Sequence, residues 1–284
     1  MTAFQWTPSP SNQPGRDRPL PCAIPHIAGA GLDMQCRGGH DCMAAGDLFD
    51  AVSPRPGVVL LLLMSVARHS HRPLRLLALA QDVFRMGAEQ YAGAANGQTS
   101  DEVLPGSVLS ASVLPDMMRQ MQRNLDAAAP LYSATALLAS YETVTATLTW
   151  ASAGAPPLLL KDGAKVEAIE SRGGPLGLPS GTAPDRGMPW GVQVRVLAPG
   201  TAAVFITPGL VHAASHDAEF GLNGAAAALA AQTTRDPQEL CRALVAAAIR
   251  FEQQPGRFGP PLRIPGFRDK LEEDMTAVAL LPAI

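Results

Sequence analysis

Two acidic side chains, Asp47 and Asp50, lie in a stretch, residues 46–52, where small, acidic and apolar residues alternate as in a β-strand. A turn rich in proline and glycine follows at residues 53–57. Residues 58–64 (VVLLLLM) then form an apolar run suited to a strand buried on both faces. This hairpin brings carboxylates to one end and runs out into Ser65-Val66-Ala67-Arg68-His69-Ser70, where chemistry is expected. A second cluster, Cys36-Arg37-Gly38-Gly39-His40-Asp41-Cys42, invites a zinc reading. Structural zinc takes four ligands from two separated pairs, and no second CxxC or HxxxH completes the set, so a glycine turn between strands is expected there.

Around these residues the chain must build a scaffold. With 284 residues, 47% hydrophobic and 17% charged, it can bury a large core, and one large domain over residues 26–284 is expected. A net charge of -3 gives no footprint for nucleic acid or an anionic membrane. Residues 1–25, rich in Pro, Ser, Gln and Arg, read as a disordered arm without an apolar signal core, so a cytoplasmic, non-membrane protein with reduced thiols is expected. A strand is expected within residues 27–36. Pro73 starts a helix with Leu76, Leu79, Ala80, Val83 and Phe84 on its core face, and a loop is expected over residues 93–106. Pro115 opens a second helix whose Met117, Met118 and Met121 are core filler. Strands follow at residues 132–141, 143–151, 158–160, 164–169, 192–197 and 202–207. Asp236-Pro237-Gln238-Glu239 caps a further helix, residues 254–268 form an exposed loop, and residues 275–281 form a last strand.

Strands, two helices, more strands, helices and a final strand argue an α+β fold. The motifs in this order are similar to those of the PPM family of metal-dependent serine/threonine phosphatases, in the bacterial branch of stage II sporulation protein E. Where that branch has GGDxYD, DVxGHG, AGHPPxLL, GxPLGL, TDGxxE and DDMT, this chain has Ala45-Gly46-Asp47-Leu48-Phe49-Asp50, Ser65-Val66-Ala67-Arg68-His69-Ser70, Ala153-Gly154-Ala155-Pro156-Pro157-Leu158, Gly174-Pro175-Leu176-Gly177-Leu178, Thr207-Pro208-Gly209-Leu210-Val211-His212 and Glu273-Asp274-Met275-Thr276. The resemblance covers residue 32 to the C-terminus. It implies a four-layer αββα sandwich of two antiparallel sheets flanked by helices, with two Mg²⁺ or Mn²⁺ ions at one end generating a hydroxide that attacks phosphoserine or phosphothreonine.

Carried over residue by residue, the resemblance assigns Asp47, Glu273 and Asp274 to vestigial metal positions. Ser65 stands for the aspartate that bridges both metals, Arg68 for a glycine whose carbonyl is a ligand, Pro208 for the TDG aspartate, His212 for a later acidic residue and Ala155 for the histidine of AGHPP. A neutral hydroxyl cannot supply the charge of a bridging carboxylate, and proline has no donor. The implied function is a pseudophosphatase without a cofactor, in which Arg68 pairs Asp47 or Glu273 in place of metal. The alternative is an active phosphatase whose site is rebuilt from His69, His71 and His212 with Asp47 and Glu273, which suits Mn²⁺ or another transition metal better than Mg²⁺. By family analogy the partner is a phosphorylatable anti-sigma-factor antagonist. Arg257, Phe258, Arg263 and Phe267 of the exposed loop are candidate contacts, because arginine and aromatic residues are favoured at interfaces.

Overall fold

An aliphatic strand flanked by residues of the opposite burial demand folds only if both of its faces are covered, and this requirement organises the molecule. In the computed structural model, which describes residues 19–20, 22–37, 46–67, 72–96, 106–129, 132–177, 190–215, 218–254 and 274–283, the elements in chain order are β1 (Ala30–Cys36), β2 (Asp47–Arg55), β3 (Val58–Val66), α1 (Pro73–Asn96), α2 (Gly106–Ala128), β4 (Ala134–Glu142), β5 (Thr147–Ala153), β6 (Leu158–Asp162), β7 (Lys165–Ile169), β8 (Val192–Val196), β9 (Ala202–Ile206), α3 (Pro208–Val211), β10 (Ala214–Ser215), β11 (Ala218–Glu219), α4 (Gly221–Ala230), α5 (Pro237–Glu252) and β12 (Thr276–Pro282).

Two antiparallel sheets result, one ordered β1-β12-β9-β6-β7 and the other β2-β3-β4-β5-β8, with a short β10-β11 ladder apart. The two-residue period of a strand sorts their side chains into layers. Along β3, Val58, Leu60, Leu62 and Met64 pack with Leu76, Phe84, Leu114 and Met118 of α1 and α2, while Val59, Leu61 and Leu63 face the other sheet and meet Phe205, Val278 and Leu280. The outer face of the β1-containing sheet, with Val204 and Ala279, is covered by Leu229 of α4 and Leu240, Leu244 and Val245 of α5. The α+β class expected from the element order, and the sandwich of two antiparallel sheets flanked by helices that the resemblance implies, are therefore the observed fold. No described helix is long and apolar enough to cross a membrane.

Local corrections have identifiable causes. Helix α2 begins at Gly106, and Pro115 lies inside it. The turns before Pro115 are held by burial of Val113 and Leu114 and by Ser110, whose Oγ donates to Ser140 Oγ at 2.8 Å. The proline removes only the bond to the carbonyl of Ala111, which is exposed to water. Helix α1 runs on to Asn96, into the region expected as a loop. Strand β5 starts at Thr147 rather than at Thr143, because a turn with Ala146 at φ 50° reverses the chain after β4. Helix α4, rich in alanine and lacking a side-chain cap, has no start signal of the usual kind. The last residues of the expected arm lie against the body. Leu20 N donates to Gln81 Oε1 at 2.7 Å and Gln81 Nε2 donates to Leu20 O at 2.9 Å, so a buried glutamine pairs the arm as a strand neighbour would. Residues 1–18 lie outside the described residues. Cys22 and Cys241 are free thiols.

The motif Ala153-Gly154-Ala155-Pro156-Pro157 carries the chain from one sheet to the other. Gly154 sits at φ 65°, and a β-carbon there would come within 2.8 Å of the backbone nitrogen of Pro175. Gly154→Ala is expected to destabilise the protein by about 2 kcal/mol through both the left-handed backbone and the clash, read as a lower urea midpoint. An unchanged midpoint would show that this crossing can relax.

Candidate functional site

Odd-numbered residues of β2 and β3 face the second sheet, as Phe49 and Leu63 do, and so do Phe205 of β9 and the even-numbered Val278 of β12. The same parity turns Asp47, Ser65, Thr207 and Thr276 into the layer between the sheets, at the end where β2 starts, β3 and β9 end and β12 starts. Asp47 and Ser65 are direct cross-strand partners. Thr207 N donates to Thr276 O at 3.0 Å across the other sheet.

Asp47 is 1% exposed. Its Oδ2 accepts from Thr207 Oγ1 and from Thr276 Oγ1, each at 2.7 Å, and Thr207 Oγ1 in turn accepts from Thr276 N at 2.9 Å. One carboxylate oxygen thus joins the two sheets, a clasp made by Asp47, Thr207 and Thr276. Thr207 is the N-cap of α3, yet its hydroxyl makes no cap bond: it donates to Asp47, and its oxygen accepts from Thr276 N instead of from the helix. The other oxygen, Oδ1, has no hydrogen-bond partner among the described residues, although Ser65 faces the carboxyl from β3. Burial lifts the Asp47 carboxyl from 3.8 to about 7. The hydroxyls of Ser65, Thr276 and Thr207 oppose that rise, and the negative charge of Asp274 adds to it. Gly46 makes room for this arrangement, since a β-carbon there would meet Val66 O at 3.0 Å and Asp274 Oδ2 at 3.3 Å.

The remaining candidates separate into three groups. Asp274 lies close enough to act electrostatically on Asp47, and Pro208 begins α3 one residue past the clasp. His212 ends α3 with a side chain 57% exposed and its Nδ1 3.7 Å from Glu219 Oε1. Its nearest described carboxylate partner is therefore Glu219, on β11. Arg68, His69, His71, Glu273, Arg257, Phe258, Arg263 and Phe267, with His40 and Cys42 of the cysteine cluster, lie outside the described residues. Asp50 points the opposite way from Asp47, toward α1, where Arg85 holds it with Nε–Oδ2 at 2.7 Å and a second contact to Oδ1 at 3.3 Å.

Thr207 and Thr276 are the functional-site residues that sequence reasoning left without a role. Both were present in the motif strings, and the strand period places them on the interior face. Their contact with Asp47 follows only from the stacking of one sheet on the other.

The described residues do not by themselves fit a pair of divalent ions. Such ions need several anionic oxygens, including a shared carboxylate. Here the cross-strand partner of Asp47 is a serine, Pro208 offers no side-chain ligand, and Asp47 Oδ2 already faces two hydroxyl protons. No group of three or more His, Cys, Asp or Glu side chains among the described residues could hold a metal ion. What this arrangement does chemically is bind a proton and hold two sheets together.

The fold is shared with known phosphatase domains. The chain superposes on the RsbU and RsbW domains of a Mycobacterium tuberculosis protein with 20% identity and a TM-score of 0.63, covering 95% of this chain and 64% of that one. The SiaA-PP2C domain of Pseudomonas aeruginosa matches at 17% identity and TM-score 0.59, over 88% of this chain and 85% of that one. The PP2C phosphatase domain with a regulatory fragment of the cell fate determinant SpoIIE from Bacillus subtilis matches at 16% identity and TM-score 0.57, over 90% of this chain and 62% of that one. The chain thus spans under two thirds of the length of the mycobacterial and Bacillus structures. Among curated protein sequences, none matches. The family model of stage II sporulation protein E matches residues 75–257, more than half of the sequence, and it runs from α1 through the crossing at Gly154 to the end of α5. This chain therefore belongs to the stage II sporulation protein E family of PPM-type phosphatase folds.

Proposed function

We propose that this chain is a catalytically impaired pseudophosphatase of bacterial, cytoplasmic signalling, which captures a regulatory protein of the anti-sigma-factor-antagonist type without hydrolysing its phosphoserine. The reading rests on one observation: Asp47, the carboxylate at the family's first acidic position, has given one oxygen to the hydroxyls of Thr207 and Thr276. Ser65 and Pro208 stand where further carboxylates would be required. A fold of this kind keeps a partner-sized surface after losing its ions, because the sandwich is held by its three apolar layers. For the contact we assign Arg257, Phe258, Arg263 and Phe267 on their chemistry.

The proximity of Asp274 to Asp47 favours a second reading, an active phosphoserine or phosphothreonine phosphatase with a metal site rebuilt around Asp47 and Glu273 and supplied with His69, His71 and His212. Calorimetric titration of the metal-stripped protein with Mn²⁺, Mg²⁺ and Zn²⁺, followed by a phosphoserine-peptide hydrolysis assay, separates the two. The pseudophosphatase binds none of these ions tightly and releases no phosphate. Tight binding, with turnover abolished in Asp47→Ala, would establish the enzyme instead. In pull-down assays with an antagonist-type partner, Arg257→Ala with Arg263→Ala is expected to weaken capture at least tenfold, and undiminished capture would remove that segment from the interface.

A further inference from the structure

A cavity of about 250 Å³ lies at the far end of strands β9 and β12 from the Asp47 contacts. Strand β9 begins at Ala202, which lines the cavity, and ends beside Thr207, while β12 begins at Thr276 and reaches the cavity at Leu281. Five residues of strand put the two places roughly 16 Å apart. The cavity opens between the outer face of the β6-β9-β12 sheet and the connection from α4 to α5, and Lys161, Gln232, Thr233, Thr234 and Arg235 supply its polar wall.

Lys161 is the unusual member. It has the parity of Leu159 on β6, so it points to the α4–α5 side, and it is only 5% exposed. Its ammonium donates to the main-chain oxygen of Gly163, a neutral acceptor, and it has no carboxylate partner among the described residues. The guanidinium of Arg235 lies against Gly200, where an added β-carbon would come within 3.4 Å of it, and it too has no described ion pair. No acidic residue lines the cavity. Asp162 lies on the other side of β6, in a separate groove with Leu160, and Asp236 turns its carboxylate to the N–H of Gln238 at the start of α5. A buried ammonium without a counter-charge is unfavourable, and an anion from solution would relieve it.

We propose that this cavity is a binding site for a small oxyanion, a phosphate group either free or carried on a small metabolite, held by Lys161 and Arg235. Lysine supplies a compact positive charge at the floor, and the planar guanidinium supplies paired donors to a tetrahedral oxyanion at the mouth. Thr233 and Thr234 also line the cavity, and a threonine hydroxyl that accepts one bond, as Thr234 Oγ1 does from Asp236 N, keeps its own proton to donate. The volume falls below the roughly 300–1,000 Å³ of sites for drug-sized ligands, which suits a phosphate head group and little more.

The test is a thermal-shift titration of the full chain with inorganic phosphate, at an ionic strength held constant with chloride. A saturable rise in Tm is expected, with apparent affinity lowered at least tenfold in Lys161→Met and several-fold in Arg235→Gln, and largely kept in Lys161→Arg. A parallel titration with AMP identifies the source: tighter binding assigns a carried phosphate, and equal or weaker binding a free one. Arg235 is exposed, so its variant reports even if Lys161→Met fails to fold. No saturable shift, a shift reproduced by chloride, or the same affinity in the wild type and in the Arg235→Gln and any folded Lys161→Met protein would show an adventitious ion only and overturn the site.

Discussion

Asp47→Asn is expected to make this protein more stable above pH 7 and to remove part of its dependence on pH. The carboxyl rises from 3.8 to about 7 because burial disfavours its charge. For a group whose folded value lies above its unfolded one, the proton is held more tightly by the folded state. Its stabilising effect is fully present below 3.8 and is lost as pH rises through about 7. At pH 8 the folded protein therefore carries a buried carboxylate with one oxygen unpartnered among the described residues. Asparagine keeps an oxygen to accept from Thr207 and Thr276 and carries no charge. A shift of this size corresponds to roughly 4 kcal/mol if fully expressed, and about half of it is offset by the amide donor that the substitution leaves facing Ser65. The expected gain is about 2 kcal/mol at pH 8, shrinking toward pH 5, read from urea unfolding at several pH values. A loss of stability at pH 8 that chelator erases by destabilising the wild type alone would mean that a cation compensates Asp47, and the clasp would be the wrong description.

Removing Arg85 acts in the opposite direction. Asp50 is 1% exposed and is held on both oxygens by Arg85, with further support from the N–H of Ala51 at 3.0 Å. Asp50 in turn raises the already high Arg85 value, and burial beside this carboxylate lifts the Cys22 thiol to about 12. Arg85→Ala leaves a buried carboxylate without its cation, which costs about 3 kcal/mol once the partial exposure of Arg85 is considered. Asp50→Asn combined with Arg85→Met should recover most of that loss, since the isolated charge disappears with its partner. A double variant as unstable as Arg85→Ala would place the energy in the packing of the arginine stem. Because Cys22 touches the same pair, Arg85→Ala should also make the end of the arm at residues 19–25 more accessible to protease.

The clasp and the ion pair illustrate how far residue type and period reach. Asp47 and Asp50 are three apart in one strand, so they must face opposite sides of it, and the alternation of β3 between two apolar layers is written in the unbroken run from Val58 to Met64. That Ser65 and Pro208 stand where the resembled motifs carry aspartates is likewise legible in the motif strings, and it is the sequence argument behind the proposed loss of a two-ion site. The reading failed at Pro115 because a proline start signal was weighed without the buried Ser110 that extends α2 before it. It missed α4 because alanine-rich helices are fixed by packing more than by caps.

The sequence by itself determined the α+β class and most of the order of strands and helices, since these depend on local period and turn chemistry, while the two-sheet sandwich was an expectation carried by the resemblance of its motifs. Only the tertiary structure decided that Thr207 and Thr276, far from Asp47 in the chain, close on one of its oxygens. It also decided that Lys161 is buried without a counter-charge among the described residues. Both are contacts between elements whose separation in sequence carries no period. They are set by how one sheet stacks on the other and how the α4–α5 connection covers the sheet edge, and a low-dielectric interior then turns these positions into chemistry.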